Sequence, residues 1–165
     1  MIIVREFELA DLPVLAGIKL RTDDEREIEA GTGMAPNEAL CQSCLLSEIC
    51  RVAVSQETGN IVTIWGLRFH EEDPTVGHPW MVGTDEMLKH KRDILRLGKQ
   101  ETADFLNYRN VLINMMDTRN RTHRRWLTWI GYHFTGQTVE IRGVPFAYFI
   151  LKGNLCVHPQ QSRWH

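Results

Sequence analysis

Apolar residues recur along this chain with two periods, and each predicts a different element. Ile2–Phe7 is rich in β-branched residues and predicts a first strand. Asp11-Leu-Pro follows; Asp11 can cap a helix, and Pro13 is tolerated in a first helical turn. Leu12, Leu15, Ile18 and Leu20 give that helix an apolar face. Arg21–Ala30 is dense in both charges and predicts an exposed helical turn or two, ended by the breaker Gly31–Pro36. Asn37–Cys50 predicts the next helix. Arg51–Ser55 and Asn60–Phe69 predict strands joined by a turn at Glu57–Asn60. His70–His78 predicts a loop, Pro79–Val82 a short strand and Thr84–Tyr108 a long helix. Val111–Asp117 is an apolar strand, and Thr122–Ile130 a helix stopped by Gly131. Tyr132–Thr135, Thr138–Arg142 and Phe146–Leu151 close the sheet, and Gly153 begins a polar tail.

The order β-α-α-β-β-β-α-β-α-β-β mixes hairpins with two helical crossovers. That combination predicts an α/β fold: a mixed sheet with helices on both faces. The length, 165 residues, suits a single domain over residues 1–152 with a polar tail over 153–165, expected to be mobile unless a partner orders it. The net charge of −2 gives no bulk basicity for nucleic acid. No apolar run approaches the ~20 residues of a membrane span, so no membrane partner is expected. Met1–Phe7 lacks the basic start and apolar stretch of a signal peptide, which suggests an intracellular protein.

Candidate chemistry is sparse. Cys41 and Cys44 form a C-x-x-C, with Cys50 and Cys156 elsewhere. A zinc site needs about four ligands, and the pair falls at helical spacing, so half-buried thiols are the expectation and no metal is assigned. Thr118–Arg125 carries Arg119, Arg121, Arg124 and Arg125. Such a run suits a solvated helix start; it would also suit phosphates of nucleic acid or an acidic protein face. Trp126 and Trp129 widen the apolar surface of that helix, so Trp129 and the four arginines are the candidate partner-binding residues.

The element order, read with Asn120, Gly131 and Tyr132, resembles the GNAT fold of acyl-CoA-dependent N-acetyltransferases. The last helix of that family often reads Asn-x-x-Ala-x-x-Leu-Tyr-x-x-x-Gly-Phe, and these three residues fall on its Asn, Gly and Phe without a gap. A narrower resemblance is to the internal virion protein A family of T7-type podophages. Pro36–Leu40, Ile64–Gly66, Pro79–Asp85, Asn114–Asn120, Arg125–Tyr132 and Gly143–Phe146 carry it. It implies a role in virion assembly or the internal core, in the virion or the host cytoplasm.

Acetyl transfer from coenzyme A would require a groove for pantetheine, a site for pyrophosphate, and an acid and base for the protons. The resemblance implies Trp80, Met81, Val82, Gly83, Thr84 and Asn120 for the cofactor. Between the fourth strand and its helix the family carries glycines and a basic residue; Val82–Met87 has one glycine, no basic residue, and Asp85 and Glu86. At about 5 Å, a carboxylate facing a phosphate charge costs roughly 1–3 kcal/mol. Thr84, Asp85 and Glu86 suit instead an N-cap and first helical turn. The family's acid, a tyrosine seven residues after the Asn, is Leu127; its Ala is His123, expected on a solvated basic face. His70, Glu71 and Glu72, at the end of a strand, are the candidates for a base. Trp80, Met115 and Met116 are expected to plug the gap between Trp80–Val82 and Ile113–Met115.

The resulting expectation is a phage GNAT-fold protein without acetyl transfer, needing no cofactor and docking on other virion or core proteins. An active acetyl-CoA-dependent N-acetyltransferase and a small phage protein binding a host factor are the alternatives.

Overall fold

The structure, a computed structural model, describes residues 1–154. Seven strands, β1 (Ile2–Glu6), β2 (Ile49–Ser55), β3 (Ile61–Phe69), β4 (Val76–Gly83), β5 (Val111–Asp117), β6 (His133–Ile141) and β7 (Val144–Lys152), form one sheet. Their order is β1-β2-β3-β4-β5-β7-β6. Every neighbouring pair is antiparallel except β4 and β5, which run parallel. Among the described residues five α-helices cover the sheet: α1 (Leu12–Leu15), α2 (Thr22–Thr32), α3 (Pro36–Leu46), α4 (Lys91–Tyr108) and α5 (Arg121–Ile130).

The sheet separates two cores. On one face Leu15, Leu20, Leu40 and Cys44 pack on Val52, Ile64 and Val82. On the other Ile94, Phe105 and Leu127 pack on Trp65, Leu67, Leu112, Met116 and Phe149. Alternation along β3 sends Ile64 to the first core and Trp65 and Leu67 to the second.

Several boundaries move from those expected. The charged segment after α1 makes a full helix to Thr32, ended by Gly33 at φ +69°, with Asp24 buried. Helix α3 ends at Leu46, because Ser47 turns extended and Cys50 joins β2 opposite Gly66. Strand β4 spans eight residues, since Val76, Gly77 and His78 also pair, with β3, β5 or both. Asp11 makes no side-chain cap for α1; its carboxylate takes two hydrogen bonds from Arg5 (2.7 and 2.9 Å) and one from the Glu8 N–H. That pairing, first the Arg5 hydrogen bonds, holds its pKa below the ordinary value. The two strands expected over Tyr132–Thr135 and Thr138–Arg142 merge into one, β6 (His133–Ile141), whose register slips between Phe134 and Thr138. The β6–β7 turn places Arg142 at φ +48° and Gly143 at φ +76°, the left-handed pair of a tight hairpin.

The thiols of Cys44 and Cys50 meet in the first core, where that hydrogen bond and burial push the Cys44 pKa well up. Among the described residues no group of three His, Cys, Asp or Glu could hold a metal ion, and no helix is long and apolar enough to cross a membrane. Residues 155–165, which include Cys156 and most of the polar tail, lie outside the described residues.

Candidate functional site

Strands β4 and β5 pair only at Val76 with Val111 and Gly77 with Leu112. Beyond that point they part, and side chains replace the ladder. The Ile113 carbonyl can only accept, so His78 Nδ1 carries the proton of their 2.8 Å hydrogen bond. Asn114 Nδ2 donates to the Pro79 carbonyl at 2.8 Å. Proline has no N–H to offer β5, and an amide side chain occupies the space left over.

A cavity of about 300 Å³ fills the gap and reaches both layers of helices. Ile28 of α2 and Leu40 of α3 line it from one side, and Ile94 and Gly98 of α4 with Trp126 and Leu127 of α5 from the other. Trp80, Met81, Val82 and Met115 form its strand walls. The expected plug is therefore absent. The Trp80 indole is drawn aside, donating to Ser47 Oγ at 2.8 Å over Gly66, where an added Cβ would stand 2.8 Å from Trp80 Nε1. Met116 is fully buried in the second core, and Met115 is 37% exposed. The volume is at the lower end of ligand-sized pockets.

Helix α2 holds the far ends of both strands. The Gly83 N–H donates to Asp24 Oδ2 at 2.9 Å, and the Gly83 carbonyl accepts from the Arg21 N–H at 2.9 Å. On β5, the Asp117 N–H donates to Glu27 Oε1 at 2.7 Å. His123 of α5 turns inward, not to solvent, and its Nδ1 lies 3.5 Å from Glu27 Oε2. Burial raises the Asp24 pKa, against Arg21, the Gly83 N–H and His123. Burial alone would raise Asp117 too, but the Arg119 guanidinium and N–H outweigh it and hold that carboxylate low. Arg119 is thus committed to Asp117 at 2.7 Å, which removes it from the free basic run.

The turn expected to face a pyrophosphate is different in kind. Thr84 does cap, accepting from the Glu86 N–H at 3.3 Å, but it caps a 3-10 turn over Asp85–Lys89. The long helix begins at Lys91, after His90, whose side chain makes no capping hydrogen bond, and Lys89, Lys91 and Arg92 lie about its start. A hollow of about 420 Å³ lies there, lined by these residues together with Met1, Leu88 and the carboxylates Glu57 and Asp93. Asp85 and Glu86 thus lie in the 3-10 turn that directly precedes α4, and Glu86 is paired with Lys89 at 3.3 Å.

The remaining candidates scatter. His70, Glu71 and Glu72 follow β3 and lie by the paired ends of β4 and β5; none lines the cavity. His70 Nδ1 and His78 Nε2 share a hydrogen bond of 2.9 Å, and Glu71 lies 3.7 Å from Arg68. Thr84 donates to the Ile61 carbonyl. Asn120 caps α5 by accepting from the His123 N–H, and its Nδ2 is buried without a partner. Leu127, in place of the family's phenol, is buried. Tyr132 does line the cavity, edge-on to Phe149 at 5.1 Å, and burial pushes its phenol up to about 12 despite a hydrogen bond with Thr102. Arg121, Arg124 and Arg125 are exposed, and Trp129 is 57% exposed. The sequence reading missed Arg21, Asp24 and Glu27. Their i, i+3 spacing puts them on one helix face, but charge density made that face look solvated.

No family model matches the sequence, and no curated protein sequence matches it. Solved structures do. An aminoglycoside acetyltransferase AAC(6')-Ib in complex with coenzyme A superposes with a TM-score of 0.66 at 17% identity, covering 92% of this chain and 95% of its own. A GCN5-related N-acetyltransferase from Kribbella flavida gives 0.66 at 16%, covering 92% and 97%. The ribosomal-protein-S5-alanine acetyltransferase from Vibrio fischeri gives 0.65 at 16%, covering 93% of each. This chain therefore has the GNAT-like α/β fold, a mixed sheet opened between β4 and β5.

Proposed function

We propose that this chain is a GNAT-fold protein without acetyl transfer that serves as an internal virion or assembly component of a phage particle. The observation that carries the first half is the bridge that α2 makes across the ends of β4 and β5. Two of the residues that the family resemblance assigns to the cofactor are already engaged: the Gly83 N–H by Asp24, the Gly83 carbonyl by Arg21, and the Trp80 indole by Ser47. His123, where the family carries alanine, lies against Glu27 across the same space. These engagements support the reading that coenzyme A is not bound here. Leu127 adds that no phenol stands at the position of the family's acid. The phage role rests on the sequence segments that resemble the internal virion protein A family, and other virion proteins are its proposed partners, with the virion or host cytoplasm its place.

Isothermal titration with acetyl-CoA tests the first half. The expected result is no saturable heat; micromolar binding with turnover of any amine rejects the reading. Mass spectrometry of purified particles tests the second half, and absence of the chain from both mature and assembling particles overturns it.

One pair of observations favours an active N-acetyltransferase instead. Asn120 Nδ2 is buried without a partner, and Lys89, Lys91 and Arg92 lie about the start of α4. An anion there would gain from the cations and the helix terminus. That reading requires acetyl-CoA to stabilise the fold, by ~2.7 kcal/mol at a hundredfold excess over its dissociation constant. An unchanged melting temperature at millimolar acetyl-CoA disposes of it.

A further inference from the structure

We infer that the outer faces of α4 and α5 together form a docking surface for single-stranded nucleic acid. The inference does not depend on whether the cavity takes a cofactor. The two helices carry seven cations against three carboxylates, whereas the rest of the chain carries twelve cations against eighteen. The near-neutral whole thus hides a segregated charge. The three carboxylates do not cancel it: Glu101 and Asp104 both bind Arg51, at 2.6 and 2.7 Å, and Asp93 lies beside His90. Arg92, Arg96, Lys99, Arg121 and Arg125 are exposed, and among the described residues none is paired with a carboxylate.

The packing makes these cations one surface. The helices touch at Gly98, where an added Cβ would stand 2.7 Å from Trp126 Cζ2 and 2.8 Å from Ile130 Cδ1. One residue further, Lys99 Nζ lies 4.2 Å over the Trp129 ring. Trp129 is 57% exposed, so a large apolar ring stands in solvent beside Lys99 and one helical turn from the unpaired Arg125. Guanidinium groups bind phosphates in a two-pronged geometry. A flat exposed ring matches the π-face of an unstacked base, which a duplex keeps hidden. An acidic protein face would satisfy the charges and leave the indole unmatched.

Fluorescence anisotropy of a dye-labelled oligothymidylate of about 20 nucleotides, titrated with the full chain, tests this. With about five phosphates neutralised, raising salt from about 50 to about 200 mM weakens binding about a hundredfold. Trp129→Ala is expected to weaken it roughly five- to hundredfold. Arg121→Ala with Arg125→Ala should make the salt slope shallower by ~1.4. These side chains are exposed, so circular dichroism should be unchanged, and Arg96→Glu gives a second charge variant. Absence of binding at the lower salt overturns the inference. So does an indifferent Trp129→Ala, or competition by duplex DNA or polyglutamate as strong as by the unlabelled single strand.

Discussion

The two ends of β4 solve the same problem with different material. At its first residues the strand meets β5 through backbone, Val76 beside Val111 and Gly77 beside Leu112. At its last residue the backbone of β4 meets helix α2 instead, through the Asp24 carboxylate and the Arg21 N–H. The first end is a ladder that most sequences able to form strands would make. The second depends on two carboxylates spaced three apart on a helix, each reaching one strand. A parallel pair that parts midway leaves buried N–H groups that must find acceptors. Here Asp24 and Glu27 supply them for Gly83 and Asp117, while His123 Nδ1 and Trp126 Nε1 at the cavity wall are buried without a hydrogen-bond partner.

The largest separation between the ends should appear on truncating their packing. Leu112 is fully buried beside the ladder. Leu112→Ala should cost ~2–5 kcal/mol, through lost transfer energy and the void left behind. Met81→Ala faces a space that is empty already. It creates less new void and should cost less. Urea denaturation of both variants checks the ranking, and equal losses would mean that the cavity is no softer than the core.

This contrast also separates what the sequence discloses from what it hides. Strands and crossovers were legible because the alternation of β3 and the apolar run of β5 are local. The family motif at Asn120, Gly131 and Tyr132 located the last helix, and Asn120 does cap it. Trp80, Met81 and Val82 were correctly placed beside the gap. The start of α4 was not legible, because Thr84, Asp85 and Glu86 satisfy the rule for a helix cap and do cap a turn, only a shorter one. Nor was the inward turn of His123, since its partner Glu27 is remote in sequence and lies on a helix that charge alone made look exposed. Local patterns set elements; which polar face is buried depends on what packs over it.

The next largest effect concerns the β5 side of the bridge. Glu27→Ala removes the acceptor for the Asp117 N–H, whose residue is 1% exposed. An unsatisfied buried donor costs ~1–3 kcal/mol. Glu27→Gln keeps an oxygen for the same N–H and should recover most of that loss. Hydrogen exchange at the Asp117 amide, alongside urea denaturation, is the direct readout. It should accelerate in the alanine variant while the Val111 and Leu112 amides, at the ladder, stay as protected as global stability allows. Equal exchange in both variants would show that water or another group serves Asp117 as well as Glu27 does.

The smallest effect has a sign that distinguishes the two carboxylates at the strand ends. Burial raises the Asp24 pKa above the ordinary ~3.9, so the native state holds that proton more tightly than the unfolded chain. Its contribution to stability is then greatest in acid and declines as pH rises through the raised value. Asp24→Asn keeps an acceptor for the Gly83 N–H and removes the buried charge, so it should stabilise the fold at neutral pH, with the gain shrinking as pH falls toward 4 or so. Asp117 behaves oppositely. Arg119 holds its pKa down against burial, so its contribution is present above ~3.9 and lost as pH falls through the lowered value. Asp117→Asn should therefore destabilise at neutral pH, and less in acid. Urea denaturation of both variants at neutral pH and at about pH 3, below the ordinary carboxylate value, supplies the comparison. If Asp24→Asn lowers stability at neutral pH, the carboxylate of Asp24 is held by its neighbours as firmly as that of Asp117, and the bridge over β4 is an ion pair with Arg21 and His123, not a tolerated burial.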